Sequence, residues 1–361
     1  MTENFDHKIK RLELENFTCF SKVDLEFSSG INVFIGENGS GKTHILKALY
    51  ALVNDLKSNP LDREKEFYEY FKTIREKHSL DRLGLQPFFI KFWIDNRSLS
   101  LSSSRNIEGE HFKATKDYSG QTIEEIEERK TWAKIGALYI PPQEILSINK
   151  GLSAAIENQE LAFDKTIYDL SKKLGANVRK NEALKNALGL LNGFEKEIGL
   201  KDIEERGTEF FLTLENSNQT LEARLVAEGL RRLAQIVHLI KNGSLKKETI
   251  LFWDEPETNL NPKYIKIVAH FLQVLAKNGV QIFLATHDYL LTYLLSLSAE
   301  YPKNDTPPMR FFGFYKGNNG TEVEYANTMN GIKNNAILEE YGAYHDLMMS
   351  KALESLETIS Q

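Results

Sequence analysis

Eight consecutive residues carry the densest chemistry in the chain: Gly36-Glu37-Asn38-Gly39-Ser40-Gly41-Lys42-Thr43. They fit G-x-x-x-x-G-K-[ST], a loop whose backbone N–H groups close around a phosphate chain. Its lysine reaches the β- and γ-phosphates, and its hydroxyl ligates Mg²⁺. Gly36, Asn38, Gly39, Ser40, Gly41, Lys42 and Thr43 are therefore candidate nucleotide-binding residues, and Thr43 is also a candidate metal ligand. A helix starting at Lys42 would add its positive end to the site.

A second motif, Ile250-Leu251-Phe252-Trp253-Asp254-Glu255, is four apolar residues ending in two carboxylates. A buried parallel strand would deliver Asp254 to its C-terminal end, where open α/β sheets bind ligands. There Asp254 would hold Mg²⁺, directly or through water, and Glu255 would orient or deprotonate the attacking water. An ordinary acidic turn has the same letters; the phosphate loop upstream raises the pair to a candidate site. Ala285-Thr286-His287-Asp288 ends the next apolar run, and His287 there would bond a γ-phosphate oxygen or the water. Val226-Ala227-Glu228-Gly229-Leu230-Arg231-Arg232 opens a helix. Gly229 permits close approach, and free N–H groups at a helix start bind anions. In isolation, a core helix with a flexible entry explains that segment better.

These motifs need strands that end and helices that begin at the right places. Ile31–Ile35 reads as a buried strand feeding the loop, with Ile45, Leu49 and Leu52 at helical spacing after it. Residues 8–27 alternate as strands, and Phe88–Ile94, Ala137–Ile140, Thr249–Trp253 and Val280–Ala285 read as further strands. Residues 55–85 read as a helical surface insertion, and 122–130 as an acidic solvated helix. Residues 144–205 read as mostly helical, broken at Gly151, Gly175, Gly189 and Gly193. Residues 210–214 and 220–225 read as a hairpin. In the helix over 228–241, Leu230, Leu233, Ala234, Val237 and Ile240 form one stripe. A helix over 262–276, a hairpin over 311–325 and a helix over 335–359 complete the chain. The expected class is α/β: a sheet with a mixed parallel core, an antiparallel β portion and a helical insertion. The expected division is a nucleotide-binding core over 1–54 and 206–361, a variable insertion over 55–135, and a helical subdomain over 136–205.

A net charge of −6 gives no global case for nucleic acid; the local basic run is Lys172, Lys173, Arg179, Lys180 and Lys185. The single cysteine, Cys19, rules out an internal disulfide and suits a cytoplasmic setting. No apolar run approaches a membrane span, so no membrane contact is expected.

The order phosphate loop, Gln143, Val226–Gly229, Asp254-Glu255, His287 resembles the ABC-type ATPase heads of the SMC, RecF and OLD group. Ile9–Phe17 is similar to their N-terminal strand, and Ile140–Ser147 and Ala227–Gly229 are similar to compact bacterial AAA-like members. The resemblance implies ATP and Mg²⁺ as cofactors and Gln143 as a metal and water contact. It also implies a head-to-tail homodimer in which Gly229 of one copy covers ATP held by the other. Asn259–Asn261 fall at the loop that crosses that interface. Lys42, Glu255 and His287 would then be the catalytic groups. Two departures stand out: Ala227 replaces the signature serine, and Asn261 an aspartate. The implied activity is ATP hydrolysis coupled to DNA or to a separate effector protein, as in anti-phage defence operons. Two alternatives follow: a switch driven by ATP binding without hydrolysis, and the ATPase subunit of a membrane transporter. The latter fits less well, because Pro256–Asn261 departs from the transporter pattern.

Overall fold

The computed structural model describes residues 7–55, 67, 69–71, 88–94, 97–106, 109–113, 135–158, 160–215 and 219–359. Six strands form the central sheet: β3 (Ile31–Gly36), β7 (Gly136–Ile140), β11 (Thr249–Asp254), β12 (Gln281–Thr286), β13 (Met309–Gly317) and β14 (Gly320–Ala326). Their order is β14-β13-β3-β12-β11-β7. All neighbours are parallel except β14, which pairs antiparallel with β13. A second sheet is wholly antiparallel, in the order β2-β1-β4-β5-β6. It comprises β1 (Ile9–Phe17), β2 (Phe20–Glu26), β4 (Phe89–Ile94), β5 (Arg97–Asn106) and β6 (Gly109–Lys113). The expected α/β class with a mixed sheet and an antiparallel portion is the one observed.

Alternation along the central strands divides the interior in two, because successive side chains leave a strand on opposite faces. Phe34, Phe252, Phe283, Phe312 and Phe314 point toward the antiparallel sheet and helix α1 (Lys42–Asp55). Val33, Leu251, Trp253, Leu284 and Phe311 point the other way, into a core closed by helices. Strands β3, β7, β11 and β12 are buried on both faces, so they read as continuous apolar runs. Phe34 and Phe312 lock edge to face with centroids 5.2 Å apart, and Phe252 and Phe283 stack at 5.2 Å.

Of the remaining elements, α2 (Leu152–Glu157), α3 (Lys165–Leu174), α4 (Asn181–Leu191) and α5 (Phe194–Glu197) follow β7. A three-stranded antiparallel sheet comes next: β8 (Leu200–Arg206), β9 (Glu209–Leu214) and β10 (Thr220–Glu222). Leu200–Arg206, read from sequence as the end of a helical stretch, is thus a strand. Leu200 and Ile203 are buried and its backbone pairs with β9. Gly189 does not break α4; it lies inside it. Helix α6 (Glu228–Lys241) precedes β11. The stripe read for it is too narrow, because every residue from Arg232 to Ile240 is buried. Helix α7 (Pro262–Lys277) starts with Asn261 accepting from the Lys263 N–H and with proline at a position needing no donor. Helices α8 (Tyr289–Glu300) and α9 (Ala336–Ile359) flank β13 and β14. Among residues 55–85, Phe67 and Tyr70 are buried; most of that expected helix, and all of 122–130, lie outside the described residues.

A buried amide bridges the two sheets. Gln281, at the start of β12, accepts the Ile9 N–H at 2.8 Å through Oε1. Its Nε2 donates to the Ile9 carbonyl at 2.9 Å and to the Ser28 carbonyl at 2.8 Å. It ties the first residue of β1 and the turn after β2 to the central sheet. Replacing Gln281 with Leu keeps the volume and strands these backbone groups. We expect a loss of about 3 kcal/mol, read as a lower urea midpoint at unchanged slope.

Candidate functional site

The site assembles where β3, β11 and β12 end side by side. Gly41 must be glycine for two reasons: its φ is +92°, and a Cβ there would lie 2.4 Å from Cys19 Sγ. The loop is thus braced from behind by the β1–β2 turn. Lys42 is buried, and its Nζ donates to the Gly36 and Glu37 carbonyls at 2.7 and 2.8 Å. Burial pulls this ammonium below the usual lysine range, opposed by Asp254, Glu255, Glu257 and Glu37. The Ser40 hydroxyl is buried with no hydrogen-bond partner among the described residues.

Thr43 Oγ1 donates to Asp254 Oδ2 at 2.9 Å, and the Tyr139 hydroxyl donates to the same oxygen at 3.1 Å. Burial pushes the Asp254 carboxyl above the usual aspartate range, against these two donors. A buried carboxylate in this position calls for a cation. Hydroxyl and carboxylate are hard oxygen donors of the kind Mg²⁺ takes, alongside phosphate and water. Among the described residues no cluster of three or more His, Cys, Asp or Glu could hold a metal unaided, so the donor set suits an ion that arrives with phosphate. The orphan Ser40 hydroxyl, the loop N–H groups and Lys42 fit the phosphates themselves.

Glu255 occupies the left-handed region with φ +49°, a conformation that persists only when its surroundings impose it. They do so from both sides: its N–H donates to the Ala285 carbonyl at 2.9 Å, and its carbonyl accepts from Arg232 Nη2 at 2.9 Å. The turn frees the side chain, which accepts from Thr258 Oγ1 at 3.1 Å and lies 3.6 Å from His287 Nδ1. His287 sits just outside helix α8, whose first turn Asp288 caps by accepting the Leu291 N–H at 2.6 Å.

Several participants were not read from the sequence. Glu257 is 8% exposed and accepts from Thr286 Oγ1 at 2.7 Å and from the His287 N–H at 3.2 Å. Its other oxygen is buried without a partner among the described residues, and burial raises its pKa above the usual glutamate range. Arg232 is buried in α6 and donates to the Pro142 carbonyl as well as to Glu255. Arg231 Nε bonds Glu144 Oε2 at 2.7 Å. Tyr139 was hidden in an apolar strand run. Arg232 carried the only available signal, a charge flanking the buried stripe of a helix.

The structure brings Lys42, Thr43, Asp254, Glu255 and His287 to one end of the parallel strands, and Gln143 and Gly229 sit on the segments that follow β7 and open α6. Gln143 is exposed, three residues beyond the end of β7 and next to the Arg232-bound Pro142. Gly229 is in the first turn of α6, where Ala227 caps without a side-chain bond. A Cβ on Gly229 would lie 2.4 Å from the Asn259 carbonyl, and Asn259 Nδ2 donates to Glu228 Oε1 at 2.6 Å. The helix start and the Asn259–Asn261 loop are therefore one surface.

Residues 31–292 match the family model described as "AAA domain, putative AbiEii toxin, Type IV TA system". The match takes in most of the chain, and the chain belongs to that family. The chain is 50% identical to the DNA replication and repair protein RecF of Streptococcus suis (strain 05ZYH33) over 44 residues, 12% of each chain. It is 40% identical to RecF of Glaesserella parasuis serovar 5 (strain SH0165) over 85 residues, 22% of this chain and 23% of that one. These matches span less than a quarter of the relatives' length. A solved SMC head bound to the C-winged helix domain of ScpA superposes with a TM-score of 0.53 at 15% identity, covering 90% of this chain and 99% of that one. That likeness shows the fold. Among the described residues no helix is long and apolar enough to cross a membrane.

Gly229→Ala tests the joined surface. The new methyl meets a backbone carbonyl, so we expect a loss of about 1–3 kcal/mol, seen as a lowered melting temperature. Ala227→Ser, on the exposed side of the same helix start, should leave the melt unchanged.

Proposed function

As the chain belongs to this family of AAA-type ATPases, we propose that it binds ATP with Mg²⁺ and hydrolyses it within a head-to-tail dimer. The observation that carries the reading is Glu255, which an imposed left-handed backbone turns out beside Asp254 and His287. Lys42 would exchange the Gly36 and Glu37 carbonyls for phosphate oxygens, and the backbone of 36–43 would hold the rest of the chain of phosphates. Thr43 and Asp254 would hold the metal, with Gln143 reaching it on closure. When bound, the ion draws charge from the γ-phosphate and orders its water. Glu255 is placed to accept the proton of the attacking water, and His287 to bond the phosphate oxygen on which charge grows.

Gly229 lies in a first helical turn that is partly exposed and packed on the Asn259 loop, which supports its acting on ATP held by a second copy. Because Ala227 lacks a hydroxyl, that contact would fall to the backbone N–H groups of α6. The output would be control of a separate effector protein. The family description, which names a toxin–antitoxin system, supports a defence role of this kind. DNA is the weaker candidate, because the basic run is largely spoken for. Lys172 pairs with Glu157 at 2.9 Å, burial depresses the Lys173 pKa, and Arg179 donates to the Gly243 carbonyl.

The test is ATP turnover against protein concentration, with and without duplex DNA, for wild type and Glu255→Gln. We expect specific activity to rise with concentration, and to fall by about 100-fold or more without its general base, with ATP retained on the variant. Turnover unaffected by Glu255→Gln would remove this assignment. Binding without turnover in the wild type would favour a non-hydrolytic switch.

A further inference from the structure

His287 has 49% of its side chain exposed, so packing alone does not fix its ring. Its backbone is fixed instead. Thr286, the last residue of β12, precedes it, and Asp288, the cap of α8, follows it. This short bridge is tied to a single carboxylate. Oε1 of Glu257 accepts from the Thr286 hydroxyl at 2.7 Å and from the His287 N–H at 3.2 Å. The Thr286 hydroxyl in turn accepts from the Asp288 N–H at 3.0 Å. Residues 286–288 thus hang on one carboxylate oxygen, directly or through the threonine.

The ring is oriented by the same group. Glu257 Oε1 lies 3.7 Å from His287 Nδ1, and Glu255 Oε1 lies 3.6 Å from it. The Nδ1 edge therefore faces two carboxylates, which leaves Nε2 as the nitrogen for a ligand. Glu257 is itself firmly placed. Its side chain is 6% exposed, and its carbonyl accepts the Leu260 N–H at 3.0 Å, within the loop that packs on the start of α6. Filling space does not account for a glutamate here. Its Oε2 is buried without a partner among the described residues, and a polar atom left so costs stability that an apolar side chain would not.

We propose that Glu257 is a positioning residue for His287, holding its backbone and its Nδ1 edge so that Nε2 reaches the γ-phosphate. Glu257 itself touches no substrate atom. The assignment rests on the ATPase reading above and deepens it. Each acid of the 254–257 segment then serves a different component: Asp254 the metal, Glu255 the water, and Glu257 the histidine.

ATP turnover and ATP binding of Glu257→Ala, Glu257→Gln, His287→Ala and the double variant Glu257→Ala, His287→Ala test it. We expect Glu257→Ala to lower kcat by roughly 10- to 100-fold, the scale of loss that a misplacement of about 1 Å brings, with the KM for ATP little changed. Glu257→Gln keeps an acceptor for Thr286 and His287 and should recover most of the rate. The double variant should be no slower than His287→Ala, since a group that acts through another has no effect once that other is gone. Histidine ring proton–carbon spectra of the nucleotide-free protein, assigned by the signal missing in His287→Ala, need no turnover. The His287 signal should move in Glu257→Ala. Should Glu257→Ala fail to fold, Thr286→Val removes the same bond from the donor side and takes its place. Glu257→Gln as slow as Glu257→Ala, losses that add in the double variant, or an unmoved His287 signal overturns the proposal. A wild type without turnover, together with a signal that moves in Glu257→Ala, would remove the ATPase reading and leave the hold on His287 standing.

Discussion

A single buried guanidinium ties the site together. Arg232 leaves the first turns of α6 and satisfies two carbonyls on different elements, Pro142 after β7 and Glu255 after β11. Burial lowers its pKa, yet a guanidinium stays charged across any working range, so the two acceptors can count on it. Through it the helix that opens at Gly229, the segment carrying Gln143 and the backbone that turns Glu255 outward share one donor. The neighbouring Arg231–Glu144 pair repeats the link between helix and segment. A displacement of α6 therefore cannot leave Glu255 where it was. In the proposed dimer, where the helix start would meet a second copy, this would give a mechanical path from that encounter to the proposed general base, made of hydrogen bonds rather than of inferred correlation.

The carboxylates divide their labour by environment. Asp254 and Glu257 are buried and hold their protons more tightly than usual, while Glu255 between them has an open side chain. The closed pair are furnished with donors on one oxygen: Thr43 and Tyr139 for Asp254, Thr286 and the His287 N–H for Glu257. These bonds orient the carboxyl groups, and the second oxygen of Glu257 is left buried without a partner among the described residues. A half-satisfied carboxyl of this kind costs stability.

The strands were the most legible part of the sequence, because a parallel strand buried on both faces leaves an uninterrupted apolar run. The ends of those runs located Asp254 and His287. The phosphate loop was legible for a different reason: its backbone demands glycine at set positions. What escaped was long-range or context-bound. Arg232 acquires meaning through partners 90 and 23 residues away, and Tyr139 through one 115 residues away. Leu200–Arg206 carries polar residues between its two buried ones, and a neighbouring strand decides its state. Tertiary pairing of that kind overrides local propensity. Glu257 was in view within the motif, but its burial was not.

The position of β3 sets a schedule for the ribosome. That strand delivers the phosphate loop, yet its two neighbours are β12 and β13, which end at Thr286 and Gly317. A nascent chain makes the loop early and then carries it unsupported through most of synthesis. Pairings so distant in sequence are slow to form and leave strand edges open meanwhile. Competence to grip a nucleotide thus emerges late in translation, and a chain interrupted before β13 would expose the bare edge of β3. A site built on the end of β3 is thus finished only once β12 and β13 have closed on both its edges.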